Sequence, residues 1–361
     1  MRVVLCQKQI ASDGRGGGLG TLYANTAKAL TGAGAQVTVV TATEPAGVGV
    51  DGVSIVSVRD AEADPAAYAV QVRAALEGLD FDIAECASWK AELAAYAALP
   101  AGARRPVVVR GELPAVVLDP EAPGIEQERA LMQHADAVLP VSQTVADLIR
   151  LHYEREPDEV IYNAVDTEVF APAPTVRAER VADGRSPQRR VLWVGSHAPI
   201  KRLDMLDAMI RGTPAHITFD IVLPWAEGNA HITRLSAHAR VTLHHHVTQR
   251  RMAELYTEAD VLLSTSRLEA FGLGILEAMA CGTPVLIPRD IGGATEFVRE
   301  GQDGHYYDTV EEAIARLERE DWGRFGAAMI EHARTFSWAR CAEQTLAAYA
   351  RVLARRRSGG A

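Results

Sequence analysis

Glu269 and Glu277 stand eight residues apart in the run Glu269-Ala270-Phe271-Gly272-Leu273-Gly274-Ile275-Leu276-Glu277, with a glycine turn between them that leads into a short apolar helix. Glycine lets a backbone pass close to a ligand, and the first amides of a helix are unpaired donors at the positive end of its dipole. A phosphate could rest on the amides around Phe271, Gly272, Leu273 and Gly274, while the carboxylates accept hydrogen bonds from hydroxyl groups on either side. A sugar nucleotide has that outline. The same residues also fit a solvated helix face, a loop charge and ordinary turn glycines, so the rest of the chain has to decide.

A second group with chemistry to offer is Gly195-Ser196-His197-Ala198-Pro199-Ile200-Lys201-Arg202, between an apolar run and a helical one. Lys201 can reach a diphosphate and neutralise the charge that grows on it as a sugar leaves; a surface lysine is the alternative. Near the start, Asp13-Gly14-Arg15-Gly16-Gly17-Gly18-Leu19-Gly20 misses strict G-x-G-x-x-G spacing, which disfavours NAD. A glycine loop at a helix start can still hold a phosphate, or be a flexible turn. Asp80-Phe81-Asp82 precedes a strand instead of closing one, which points to a structural role. The run His244-His245-His246 would alternate across a strand and cannot gather three ligands on one metal. No metal is implied.

The elements that must position these groups follow from the apolar runs. Short stretches rich in Val, Ile and Leu at 2–6, 37–41, 82–86, 107–110 and 137–141 alternate with amphipathic stretches, the pattern of buried parallel strands joined by crossover helices. Residues 1–165 read as one doubly wound α/β domain, and 166–190 as a polar linker. The pattern restarts at 191–195, 217–223, 241–244, 261–264 and 285–287, giving a second α/β domain over 191–335, before an Ala-rich amphipathic helix within 336–361. Two such domains face each other across a cleft, and ligands of open α/β sheets sit beyond the carboxyl ends of the strands. Glu269 follows the run at 261–264 closely.

Composition narrows the partners. With 37 basic and 47 acidic residues in 361 the net charge is −10, which argues against nucleic acid and against anionic membrane surfaces. Cys6, Cys86, Cys281 and Cys341 are scattered, so they read as free thiols, and no run of membrane-spanning length interrupts the chain. A cytoplasmic protein is expected. Arg355-Arg356-Arg357 reads as a solvated helix end. Oligomeric state is left open.

Taken together, these residues resemble family 4 of the glycosyltransferases, retaining enzymes of the GT-B fold that use nucleotide sugars. The resemblance is carried by Gly17-Gly18-Leu19-Gly20-Thr21, Pro140-Val141-Ser142, Val160 to Asp166, the paired glutamates, Asp290 to Val298 and Phe336-Ser337-Trp338, in the family's order. It implies an acceptor-side first domain, a donor-side second domain and a C-terminal helix that returns to the first. It further implies that Glu269 accepts from the donor sugar's hydroxyls and Glu277 from the ribose. Ala270, Phe271, Gly272 and Leu273 meet sugar and phosphate. Gly17 and Gly18 approach the diphosphate, with Ser196, Lys201 and Arg202 on its other side. In the family's usual account the leaving diphosphate helps deprotonate the acceptor, so Lys201, Glu269 and Glu112 act by positioning and electrostatics. No cofactor beyond the nucleotide sugar is implied.

The chain also departs from the family. Ser196 stands where many members carry an arginine, Glu112 near where many carry a histidine, and Pro224-Trp225-Ala226-Glu227-Gly228 replaces a glycine-rich turn. Glu85, Trp89, Lys90, Arg110, Glu112 and Asp119 fall near predicted strand ends of the first domain, where acceptors bind in this fold; the carboxylates among them suit an amino sugar or aminocyclitol. The expectation is a retaining hexosyltransferase that moves sugar from a UDP- or GDP-sugar to a soluble polar acceptor or glycan precursor. A nucleotide-sugar epimerase of the same fold and a noncatalytic sugar-nucleotide binder are the alternatives.

Overall fold

The apolar runs form parallel strands covered on both faces, which is why they read as near-continuous hydrophobic text. The computed structural model describes residues 1–10, 17–43, 49–59, 64–172, 189–224 and 229–358. Asp13 to Gly16, most of the linker and Trp225 to Gly228 lie outside the described residues. Two units are present, Met1–Ala164 with Trp338–Ala361, and Val165–Ser337.

In the first unit β1 (Arg2–Cys6), β2 (Gln36–Thr41), β3 (Ser54–Ser57), β4 (Ile83–Ala87), β5 (Val107–Gly111) and β6 (Ala137–Pro140) form a six-stranded sheet in the order β3-β2-β1-β4-β5-β6. The order reverses between β1 and β4, where Cys6 lies beside Cys86, so the loops leaving these strands diverge and open a crevice. Side-chain caps start the flanking helices: Asp64 accepts from the Ala66 and Ala67 amides ahead of Pro65–Glu77, and Ser142 from Val145 ahead of Gln143–Tyr153. Arg2 is held by both Asp80 and Asp82.

The helix Trp338–Ser358 completes this unit's core. Cys341, Ala342, Ala348, Tyr349 and Val352 pack with Leu22, Tyr23, Ala27, Leu30, Ile161 and Ala164. Its basic end is solvated, with Arg355 and Arg357 exposed, and is tied back to the unit at the same time: Arg355 pairs with Asp158 at 2.9 Å, Arg356 with Asp136 at 2.7 Å, and Arg351 with Glu159. Those carboxylates lie far back in the chain, beyond the reach of a local charge count.

In the second unit β7 (Arg189–Val194), β8 (Ile217–Val222), β9 (Val241–His244), β10 (Val261–Leu263), β11 (Val285–Pro288) and β12 (Gly304–Tyr307) run β12-β11-β10-β7-β8-β9. This repeats the winding of the first sheet and puts the reversal between β7 and β10. Val165 bridges to Ser337, and its amide donates to Phe336 O at 3.0 Å, so the first and last residues of this unit lie side by side. Among the described residues, no helix is long and apolar enough to cross a membrane.

Candidate functional site

The loops leaving β7 and β10, the strands that flank the reversal of the second sheet, are tied together bond by bond. Trp193 Nε1 donates to Thr265 Oγ1 at 3.0 Å, and that hydroxyl donates to Lys201 O at 2.6 Å. Arg202 donates to Thr265 O (2.6 Å) and Ser266 O (3.2 Å), and the Arg267 amide to Ile200 O (2.8 Å). The result places Lys201 Nζ 2.5 Å from Glu269 Oε1, both side chains about a fifth exposed. Arg202 thus braces the β10 loop through its backbone carbonyls, while Ser196 Oγ accepts from the Ala198 amide at 3.3 Å.

Glu269 is held through its backbone. Its amide donates to Ile291 O at 2.7 Å and its carbonyl accepts from Gly293 at 3.0 Å. Gly293 admits no side chain, because a Cβ there would meet Ala270 O at 2.1 Å. The chain then turns through Gly272, at φ +97°, into the helix Leu273–Ala280, which has no side-chain cap. Its first amides have no acceptor within the helix, which makes this terminus an anion site by geometry. Phe271 anchors the turn, buried against Phe297 with ring centroids 4.9 Å apart and Phe336 at 6.1 Å.

Glu277 sits one side of that helix and accepts from the Tyr256 hydroxyl at 3.0 Å. Burial pushes its pKa up to about 7, against the lowering effect of that hydrogen bond. Tyr256 was not foreseen. It is fully buried on the helix Gln249–Glu258, and no local pattern links it to a carboxylate so far along the chain. The histidine run is engaged in the sheet: His244 Nε2 contacts Asp220 Oδ1 at 2.7 Å and His245 Nδ1 contacts Leu223 O at 2.8 Å. No group of three or more His, Cys, Asp or Glu that could hold a metal is found among the described residues.

In the first unit the expected acceptor contacts separate. Glu85 and Arg110 are 1% and 3% exposed and pair with each other; Tyr349 donates to Glu85 Oε2 at 2.7 Å and Arg110 to Thr345 Oγ1 at 3.1 Å. They bind the C-terminal helix to the sheet and are withdrawn from the acceptor set, because β4 and β5 point them into the core. Trp89 is half-buried and Lys90 exposed, at the end of β4. The Glu112 amide donates to Ser88 Oγ at 3.1 Å, its Oε1 has no hydrogen-bond partner, and burial lifts its pKa to about 8 against the pull of Arg110. Asp119 is exposed and caps the turn at Glu121.

Residues 16–169 match the family model described as Glycosyltransferase Family 4, and residues 228–335 match the model for Glycosyl transferases group 1. The chain belongs to glycosyltransferase family 4. This family 4 chain is 27% identical to a D-inositol 3-phosphate glycosyltransferase of Mycobacteroides abscessus over 280 residues, covering 74% of this chain and 62% of that one. It is 31% identical to the same-named protein of Kribbella flavida over 255 residues, 64% of this chain and 60% of the other. It therefore spans about three fifths of these relatives' length. Among solved structures it resembles a sucrose-phosphate synthase from Thermosynechococcus elongatus (TM-score 0.79, 18% identity, 98% of this chain and all of that one). It likewise resembles Anabaena HepE in complex with UDP-glucose (TM-score 0.74, 21% identity, 98% and 100% covered). Likeness at such identity speaks to fold, and the two parallel six-stranded sheets are those of GT-B.

In this family 4 chain, Lys201, Arg202, Ser196, Glu269, Ala270, Phe271, Gly272, Leu273 and Glu277 all lie on the two joined loops or the helix they lead into. Gly17 and Gly18 open the helix Gly17–Gly32 of the other unit. Thr265 and Tyr256, which hold Lys201 and Glu277 in place, are the residues that motif reading passed over. The rule that sites lie at strand carboxyl ends would have pointed to Thr265, two residues past β10.

Proposed function

We propose that this chain is a retaining glycosyltransferase that moves a sugar from a UDP- or GDP-linked donor to a hydroxyl of an acceptor, working in the cytoplasm without a metal. The observation that carries the reading is the Lys201–Glu269 pair beside the uncapped start of Leu273–Ala280, with Glu277 on the same helix. The donor's diphosphate lies on those amides and Lys201, its sugar hydroxyls donate to Glu269, and the ribose hydroxyls donate to Glu277. As the sugar leaves, charge grows on the diphosphate, and Lys201 is already fixed where that charge develops. The departing diphosphate takes the acceptor proton on the face it leaves. Glu112, neutral near pH 7, offers the acceptor a hydrogen bond. The UDP-glucose bound by HepE supports a nucleotide sugar as the co-substrate, and the name of the aligned relatives, D-inositol 3-phosphate glycosyltransferase, supports glycosyl transfer.

The test is incubation of purified protein with UDP- and GDP-sugars, with and without polyol acceptors, followed by NMR of the anomeric centre. A new glycosidic bond with the donor's configuration is expected. A converted sugar nucleotide without transfer makes the chain an epimerase, and donor binding with neither product makes it a noncatalytic homologue.

A further inference from the structure

The strands β1 and β4 pair as far as Cys6 and Cys86 and then part, and the Lys8 amide, two residues on, donates to a side chain instead of a strand. Glu92, 1% exposed, offers that amide its Oε1 at 3.2 Å, across the point where the order of the sheet reverses. The Lys8 carbonyl is held by the end of β2, through the Ala42 amide at 2.9 Å and Thr41 Oγ1 at 3.1 Å. Reaching the amide distorts the chain. Lys90 and Ala91 both lie in the left-handed region, at φ 69° and 51°, although neither is glycine, and Ala91 is buried. The Ala91 amide donates to Ser88 O at 3.1 Å and Gln127 Nε2 to Ala91 O at 3.2 Å. Strain of this kind persists only where the surroundings impose it. What the turn delivers is the Glu92 carboxyl at the exit of β1.

That exit in turn carries the helix Gly17–Gly32. A Cβ at Gly20 would meet Gln9 O at 2.8 Å and Ile10 Cα at 3.5 Å, so the first turn of the helix lies directly on the backbone that follows Lys8. Ile10 is buried, and its amide donates to Thr43 Oγ1 at 3.1 Å. A shift at Lys8 therefore reaches Gly20 through Gln9, and with it Gly18 and Gly17.

Glu92 Oε2 has no hydrogen-bond partner, so the buried carboxylate has an oxygen ready to take a proton. Burial lifts its pKa to about 7, against the pull of its own amide, the Lys8 amide and the charges of Lys90 and Lys8. Cys6 on β1, Cys86 on β4 and Tyr23 on Gly17–Gly32 also face it, and burial pushes all three up, so they stay neutral in this range. We propose that Glu92 is a positioning residue for transfer: its charged carboxylate fixes the Lys8 amide and, through Gln9, the first turn of Gly17–Gly32, and its protonation loosens both. That this turn serves the donor rests on the glycosyltransferase reading; the coupling of Glu92 to the helix start does not.

Amide NMR spectra of the labelled, deuterated protein across pH 5.5 to 8.5 read the coupling. The Lys8 and Gly20 amides should titrate together with a midpoint at about 7, and should be flat in Glu92→Gln, which keeps the shape and lacks the charge. The parent's titration is diagnostic without any variant. Turnover is then measured with the sugar nucleotide and acceptor that give product. The ratio of parent to Glu92→Gln kcat should rise from near one at pH 6 to about five-fold or more at pH 8, the gap between a charged and a neutral acceptor. Glu277 and Glu112 are present in both proteins and cancel in the ratio. Flat Lys8 and Gly20 amides in the parent, or a titration unchanged in Glu92→Gln, overturn the coupling. A shared titration with a kcat ratio that does not vary with pH makes Glu92 a structural residue and overturns the positioning role. A shared titration with no transfer at any pH supports the coupling and sinks the proposed function alone.

Discussion

Lys201 and Glu269 neutralise each other across two loops that leave adjacent strands, at 2.5 Å and with most of their surface covered. Neither loop owns the pair. The geometry comes from Thr265 and Arg202, which join the β7 and β10 loops through backbone carbonyls.

Lys201→Ala is expected to lower kcat by about 10²-fold or more while the Kd for UDP changes much less, since the cation matters most when charge develops on the leaving group. Steady-state kinetics and calorimetry on one preparation read both numbers. Equal losses in the two would make Lys201 a binding residue only.

Nucleotide binding should depend on pH through Glu277. Its pKa lies at about 7, above the ordinary carboxylate value, so the group proposed to accept from the ribose hydroxyls is charged above that pH and neutral below it. Affinity for UDP should fall by up to about ten-fold as pH drops from 8 to 6, the difference between a charged and a neutral acceptor. The Tyr256 hydroxyl lowers this pKa, so Tyr256→Phe should move the midpoint upward. A flat profile in both proteins would separate Glu277 from the nucleotide.

Gly293→Ala tests how Glu269 is held. The new methyl collides with Ala270 O, so the loop must shift, at a cost of about 1–3 kcal/mol in stability. Thermal melts should register this together with reduced donor binding. An unchanged melting temperature would mean that the two loops yield freely there.

Arg110 should behave as a structural residue. Arg110→Ala leaves Glu85 buried without its cation and should cost about 3–5 kcal/mol, while Arg110→Lys costs less. In Arg110→Lys the KM for acceptor should stay near its original value. A raised KM with an unaltered melt would return Arg110 to the acceptor site.

What the sequence made legible was local. The glycine turn between Glu269 and Glu277, the helix it starts and the apolar strands all announce themselves within a few residues, and with them the α/β fold and the family. What stayed hidden lies in pairings between distant residues. Tyr256 supports Glu277, and Tyr349 reaches Glu85 across most of the chain, without any spacing rule to join them. Edge strands were hidden too: Ser54–Ser57 has only two apolar residues and Gly304–Tyr307 opens on glycine, so neither reads as a strand. Glu85 read as an acceptor contact because alternation says which face a residue takes but not whether that face is covered by a later helix.

The helix that covers it has an effect on the order of assembly. Unit Val165–Ser337 is continuous in the chain, and its two ends meet at the Val165–Ser337 bridge. The first unit is interrupted, and Tyr349 and its neighbours are synthesised only after the whole second unit. As the chain emerges, the later-coded unit has all its parts first, and the face of Leu22, Ala27 and Leu30 stays open until the tail arrives. A premature stop near residue 337 would thus spare the Lys201–Glu269 pair and leave the first unit with an uncovered core.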